Sequence, residues 1–203
     1  MAKTPTTTLK KILEQHRRWL DSGAEEGHRA DLKGADMTRL NLEGVRLSQA
    51  DLSDAILTGA ILRSADLSGA RLQRAGLRSA DLHWADLTGS HLKHADLAGA
   101  QLQFASFDKA DLAGACLQGV FLHNAWFWDC DCREADFSGA NLSFTSFQST
   151  NLRRAKFDRA RLQHTNLRMA DLTDANLCFA EIISADFRGA TLPSGFAVGA
   201  RAQ

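Results

Sequence analysis

Apolar residues recur at a fixed period of five from Ala30 to Leu192. Written in fives from Ala30 to Ser194, the chain forms 33 consecutive units, with alanine in 25 of the 33 first positions and leucine in 24 of the 33 third positions. Most third-position exceptions stay apolar, among them Met37, Phe107, Phe127, Phe137, Phe147 and Phe157. A period of five fits neither the helical 3.6 nor the strand value of two, so no single regular element keeps all these residues on one face. A turn must fall in every unit. First and third positions are two apart and share one side of an extended step, while the second position, rich in Asp and Asn, faces water. The fifth carries many of the glycines, as a tight turn favours.

Ahead of the repeats, Leu9, Ile12, Leu13, His16, Trp19 and Leu20 fall at helical spacing. Thr7 or Thr8 is the expected N-cap and Ser22-Gly23 the stop. This predicts an amphipathic helix in residues 1–29 that lays its apolar stripe over the first repeats, since open solenoid ends need covering, or else offers that stripe to a partner. After Pro193, which ends strand pairing, a short tail (195–203) holds Phe196 and Val198. These either fold across the last units or meet a second molecule.

The units Ala30-Asp31-Leu32-Lys33-Gly34, Ala65-Asp66-Leu67-Ser68-Gly69 and Ala170-Asp171-Leu172-Thr173-Asp174 resemble the pentapeptide-repeat family, whose motif is A(D/N)LXX. Residues 30–194 match it without a break, about four fifths of the chain. The resemblance implies an all-β solenoid, a right-handed quadrilateral β-helix of about eight coils, with four units per coil. At about 4.8 Å between coils the rod would be roughly 40 Å long. Alanine is then expected at an inward position too crowded for a larger group, with leucine filling the axis.

If residues 20 apart lie above one another, the sequence becomes a surface map. Trp84, Phe104, Phe121 and Phe144 fall on one face and Trp126 and Trp128 on the next, a cluster of outward aromatics in the middle coils. Such a patch reads as a protein-contact surface, or as stacked ladders that only stabilise the rod. A second candidate is the basic band Arg153, Arg154, Lys156, Arg159, Arg161 and Arg168, which carries one acid, Asp158, in residues 150–169. It reads as solvated surface or as a site for phosphate or an acidic partner.

Composition narrows the chemistry. Net charge is zero, which gives no whole-protein attraction to nucleic acid or anionic membrane. No apolar run reaches signal-peptide or membrane-span length, so a cytoplasmic protein is expected. Cys130 and Cys132 occupy first and third positions of one unit and point inward as core filling. Ala110, Leu112, Thr150 and Leu152, expected above and below them, offer no good metal ligand. Cys116 and Cys178 should face outward. His91 and His94 have a spacing that suits a helix rather than a turn-rich coil, and no phosphate loop or nucleophile motif occurs.

The sequence therefore predicts a non-enzymatic interaction scaffold with no cofactor and a protein partner. The resemblance supplies an alternative, since some bacterial family members imitate DNA, bind gyrase and confer quinolone resistance. That requires a sustained acidic surface, whereas residues 30–194 hold 17 Lys and Arg against 20 Asp and Glu. A structural or self-assembly module, such as a homodimer meeting at an open coil end, is the third reading.

Overall fold

The computed structural model describes residues 6–196. It contains one helix, α1 (Thr6–Asp21), followed by a stack of single-residue parallel bridges, each joining a residue to the one twenty positions later. The bridges form four columns, starting at Asp31↔Asp51, Asp36↔Ile56, Asn41↔Ile61 and Arg46↔Asp66. They define four sides, numbered first to fourth, of a twenty-residue circuit. Among the described residues no bridge extends into a longer strand. The cause is the turn that follows each one, closed by the first-position N–H of the next unit on the third-position carbonyl, as from Ala55 to Leu52 at 3.1 Å. Neighbouring circuits are tied by hydrogen bonds such as Asp51 N–H to the Ala30 carbonyl (2.9 Å) and Leu52 N–H to the Arg71 carbonyl (2.7 Å).

Each turn places the fifth residue of the unit in left-handed backbone, from Gly34 to Gly189, even where that residue is Trp84 (φ 61), Phe104 (φ 60) or Phe144 (φ 60). Such a conformation costs a residue with a Cβ about 1–2 kcal/mol. It is held because the fifth-position N–H is committed to the next circuit, as Phe144 N–H is to the Gln163 carbonyl at 2.9 Å. The second-position Asp or Asn has a matching task. Its Oδ1 accepts the N–H two residues on, as Asp51 does from Ser53 (3.0 Å), Asp86 from Thr88 (2.9 Å) and Asn176 from Cys178 (2.9 Å). A short acceptor two residues upstream is what this turn donor needs, so the acids recur for backbone satisfaction rather than for acid chemistry.

Inside, first- and third-position side chains form one continuous core. Phe107, Phe127 and Phe147 stack along the fourth side, with centroids 4.5 and 4.8 Å apart. Phe137 and Phe157 stack along the opposite second side at 5.3 Å. The two stacks meet edge-on across the axis, Phe137 to Phe147 at 5.4 Å and 80°. The expectation that the first position excludes anything larger than alanine needs correction, because Val120, Cys130, Thr145, Thr150 and Thr165 all occupy it while buried. The polar members use a carbonyl of the preceding circuit. Thr145 Oγ1 donates to the Leu122 carbonyl at 2.7 Å, Thr165 Oγ1 to that of Leu142 at 2.9 Å, and Thr150 Oγ1 to that of Phe127. Cys130 Sγ likewise donates to the Phe107 carbonyl at 2.8 Å. A carbonyl has two lone pairs, and the turn N–H takes only one.

α1 lies against the first circuit. Leu9 is buried, and Ile12 and Leu13 pack on the core. The helix starts at Thr6, so Thr7 and Thr8 belong to its first turn instead of capping it, a shift within the usual latitude of helix ends. Its C-terminus closes where expected. Gly23 (φ 66) donates to the Leu20 carbonyl and Ala24 to that of Trp19, the paired bonds of a Schellman stop. Asp21 meets Arg46 at 2.6 Å, and His16 is fully buried. Its Nδ1 accepts the N–H of Ala30 at 3.0 Å, taking the place of the turn carbonyl that each later unit inherits from the unit before it.

Because Nδ1 accepts, the imidazole is neutral with its proton on Nε2, whose approach to the Ser48 carbonyl falls outside ordinary hydrogen-bond geometry. Burial pushes the His16 pKa below 6.5, with Arg46 and Arg29 acting in the same direction and the Ser48 carbonyl and Asp66 opposing. A depressed histidine contributes stability that is complete above pH 6.5 and is lost as pH falls through the lower folded value. Thermal melts from pH 8 to pH 5 should therefore show wild-type stability dropping below pH 6.5 more steeply than that of His16→Gln, whose amide oxygen accepts the same N–H without titrating. Parallel profiles would refute this role.

At the other end, Phe196 folds back on the chain's own last units, 6.0 Å from the Phe187 ring. Val198 lies outside the described residues.

Candidate protein-contact surface

The four bridge columns place the outward aromatics on two adjoining sides. Phe121 lies on the third side, Trp126 and Trp128 on the fourth, and Trp84, Phe104 and Phe144 along the edge between them, since they are fifth-position residues just before fourth-side bridges. Trp84 is 58% exposed, Phe121 49%, Phe144 48%, and Trp126 and Trp128 44% each, while Phe104 is half-buried.

Ring geometry divides this set in two. Trp84 and Phe104 stack at 4.2 Å and 3°, and Phe144 stacks on His164 at 4.8 Å. His123 bridges the pairs edge-on, 6.5 Å from Phe104 and 5.0 Å from Phe144. This edge is a ladder that supports itself. Phe121, Trp126 and Trp128 have no aromatic neighbour among the described residues; Trp128 instead carries the Lys109 ammonium 5.2 Å above its ring. His123, exposed Met169 and exposed Phe179 were not singled out from sequence. Each has a positional signal, His123 as a fourth-position ring in the unit of Phe121, and Met169 and Phe179 as outward fifth-position residues like Trp84.

The basic band is dispersed. Arg153 and Arg154 lie on the first side, Lys156 and Arg159 on the second, Arg161 on the third and Arg168 on the fourth. Four of the six have acid partners: Arg153 with Asp171 (3.3 Å), Arg154 with Glu134 (3.3 Å), Arg159 with Asp158 (3.6 Å) and Arg161 with Glu181 (3.4 Å). An open depression on the first side, lined by Lys33, Asp51, Ser53, Arg71, Gln73, Arg74 and His91, is also internally paired. There Arg74 grips Asp54 at 2.7 and 2.8 Å, which holds the Asp54 carboxyl below its usual range.

Cys132 is buried, and desolvation pushes its thiol well above the ordinary value, which leaves a core group rather than a nucleophile or ligand. Cys116 is half-buried and Cys178 exposed. His91 sits on the first side and His94 at the following edge, and among the described residues no three His, Cys, Asp or Glu gather as a metal site. No described helix is long and apolar enough to cross a membrane.

Four-sided circuits, one small and one large inward residue per unit and a turn after every bridge define a repeat solenoid built from pentapeptides. The chain belongs to the pentapeptide repeat family. The family models "Pentapeptide repeats (8 copies)" and "Pentapeptide repeat region" match residues 28–63 with 55–93, and residues 100–177, respectively. Among solved structures it is similar to HetL, a pentapeptide repeat protein involved in heterocyst differentiation regulation from the cyanobacterium Nostoc sp. strain PCC 7120. The two share 30% identity over 84% of this chain and 82% of HetL, with a TM-score of 0.59. More distant are QnrB1, a plasmid-mediated fluoroquinolone resistance protein (19% identity, 81% and 91% of the two chains, TM-score 0.37), and Rfr23 from the cyanobacterium Cyanothece 51142 (21%, 80% and 87%, 0.31). No curated protein matches.

Proposed function

We propose that the protein is a non-enzymatic interaction scaffold, a right-handed quadrilateral β-helix of about eight coils capped by α1, which binds a protein partner through the aromatic patch. The observation that carries this reading is the trio Phe121, Trp126 and Trp128, roughly half exposed and unstacked. Stacking explains the exposure of Trp84 and Phe144; it does not explain that of the trio. Large aromatics displayed on a rigid frame supply contact area at low entropic cost. The likeness to HetL, a pentapeptide repeat protein involved in heterocyst differentiation regulation, supports a scaffold reading over an enzymatic one. DNA mimicry is disfavoured by near-balanced charge and by cations present on all four sides.

Trp126→Ala combined with Trp128→Ala should abolish co-purification of the native partner, identified by mass spectrometry from the host, while leaving the melting temperature nearly unchanged. Both side chains face water, so little core packing is lost. A partner retained by the double variant would defeat the proposal.

A further inference from the structure

The acids around the patch are ion-paired less often than those of the first side. On the first side Asp51, Asp54, Asp111, Asp131 and Glu134 each sit within 4.0 Å of an arginine or lysine. On the fourth side Asp66, Asp86, Asp108 and Asp129 form no ion pair among the described residues. Asp66 bridges Asp86, Asp86 bridges Ser106, and Ser106 bridges Trp126, so two stacked carboxylates stand in the column of the exposed indole, with Ser106 between Asp86 and Trp126. Asp108 lies one circuit before Trp128 and accepts its N–H at 2.9 Å, and Asp129 follows Trp128 in the chain. Like charges on successive circuits repel. Against these four carboxylates the same four fourth-side units carry one cation, Lys109, whose ammonium lies over the Trp128 ring.

We propose that the occupant of this patch is a cationic protein segment, an extended stretch whose arginine or lysine side chains lie on Trp126 and Trp128 with their charges toward Asp86, Asp108 and Asp129. The inference rests on the protein-contact reading of the same patch and specifies the partner's chemistry. Charge complementarity argues for it, because unpaired carboxylates attract a cation and repel the phosphates of nucleic acid or anionic lipid. Lys109 already shows that the Trp128 face holds a cation. The spacing also fits. Trp126 and Trp128 are two residues apart on either side of inward Phe127, and alternate side chains of an extended peptide are about 7 Å apart.

The test titrates purified full-length protein with four peptides, (Arg-Ala)4, (Lys-Ala)4, (Gln-Ala)4 and (Glu-Ala)4, followed by calorimetry and by tryptophan fluorescence. The arginine and lysine peptides should bind saturably and weaken with added salt, whereas the neutral and acidic peptides should not bind. Asp86→Asn, Asp108→Asn and Asp129→Asn together should weaken the cationic peptides about tenfold. Asparagine keeps the Oδ1 acceptor at 86 and 108, and Asn124 already occupies a fifth position with φ 58, so the triple variant retains the fold, checked by circular dichroism. Trp126→Ala with Trp128→Ala should weaken binding by a similar factor. No saturable binding at millimolar arginine peptide, equal binding of the glutamine peptide, or cationic binding indifferent to either variant would overturn the proposal. A native partner lost on the tryptophan substitutions and fully retained by the triple asparagine variant would overturn the cationic segment alone and leave the contact surface standing.

Discussion

Phe127→Ala should lower the free energy of unfolding by about 3–5 kcal/mol, read as a fall in the urea midpoint. The ring is fully buried, stacked on Phe107 and Phe147 and edge-on to Phe137 at 6.2 Å. Removing it opens a cavity in the middle of the axis, and a solenoid circuit touches only the circuits beside it, so no distant group can collapse into the gap. The coupling between the halves should weaken as well. A shallower or two-step transition is expected in place of a simple shift. Phe127→Leu places the commonest third-position residue there and should restore most of the loss. An alanine variant destabilised by less than about 1 kcal/mol would mean that the aromatic stack adds little to the rod. Because Phe127 lies directly beneath Trp126 and Trp128, the leucine variant should keep partner binding while the alanine variant weakens it.

Gly27→Ala should cost about 2–4 kcal/mol and release α1 from the first circuit. Gly27 has φ +73, and a Cβ there would lie 2.2 Å from the Gln15 carbonyl oxygen and 2.9 Å from both Arg18 Cβ and the Trp19 nitrogen. Two of these three atoms are backbone, so the helix itself must move. That movement breaks the bond from His28 N–H to the Gln15 carbonyl and the one from Ala30 N–H to His16. Hydrogen exchange should accelerate along Thr6–Asp21 and in the first circuit, while the middle circuits keep their protection. Gly23→Ala is the control. It has a similar φ, +66, with nothing within 4 Å of the added Cβ, and should cost only about 1 kcal/mol. Equal effects at the two glycines would show that backbone strain, not helix docking, dominates.

The five-residue period was legible because each unit repeats the same inward demand, a small residue and then a large one, and a slip of one residue would turn the whole core outward. That regularity assigned an inward or outward direction to nearly every side chain, including Cys130 and Cys132. The helix was legible for the same reason, although its start was not, since a helix end depends on only a few orphan N–H groups. The aromatic cluster could be assembled once the resemblance to the pentapeptide-repeat family supplied a twenty-residue circuit. Whether its rings support one another could not, because stacking depends on rotamers and on His123, a fourth-position ring outside the fifth-position column of Trp84, Phe104 and Phe144.

The sequence by itself determined the period and the inward and outward positions, since these follow from spacing along one chain, while the four-unit circuit on which the aromatics were mapped came from the resemblance to the pentapeptide-repeat family. Only the tertiary structure decided that Phe121, Trp126 and Trp128 are unstacked while Trp84, Phe104 and Phe144 form a ladder. It alone paired four of the six basic residues with acids. It alone left Asp66, Asp86, Asp108 and Asp129 without an ion pair among the described residues. Stacking and ion pairing join side chains from different circuits, often eighteen or twenty residues apart, and depend on where their flexible ends meet in space.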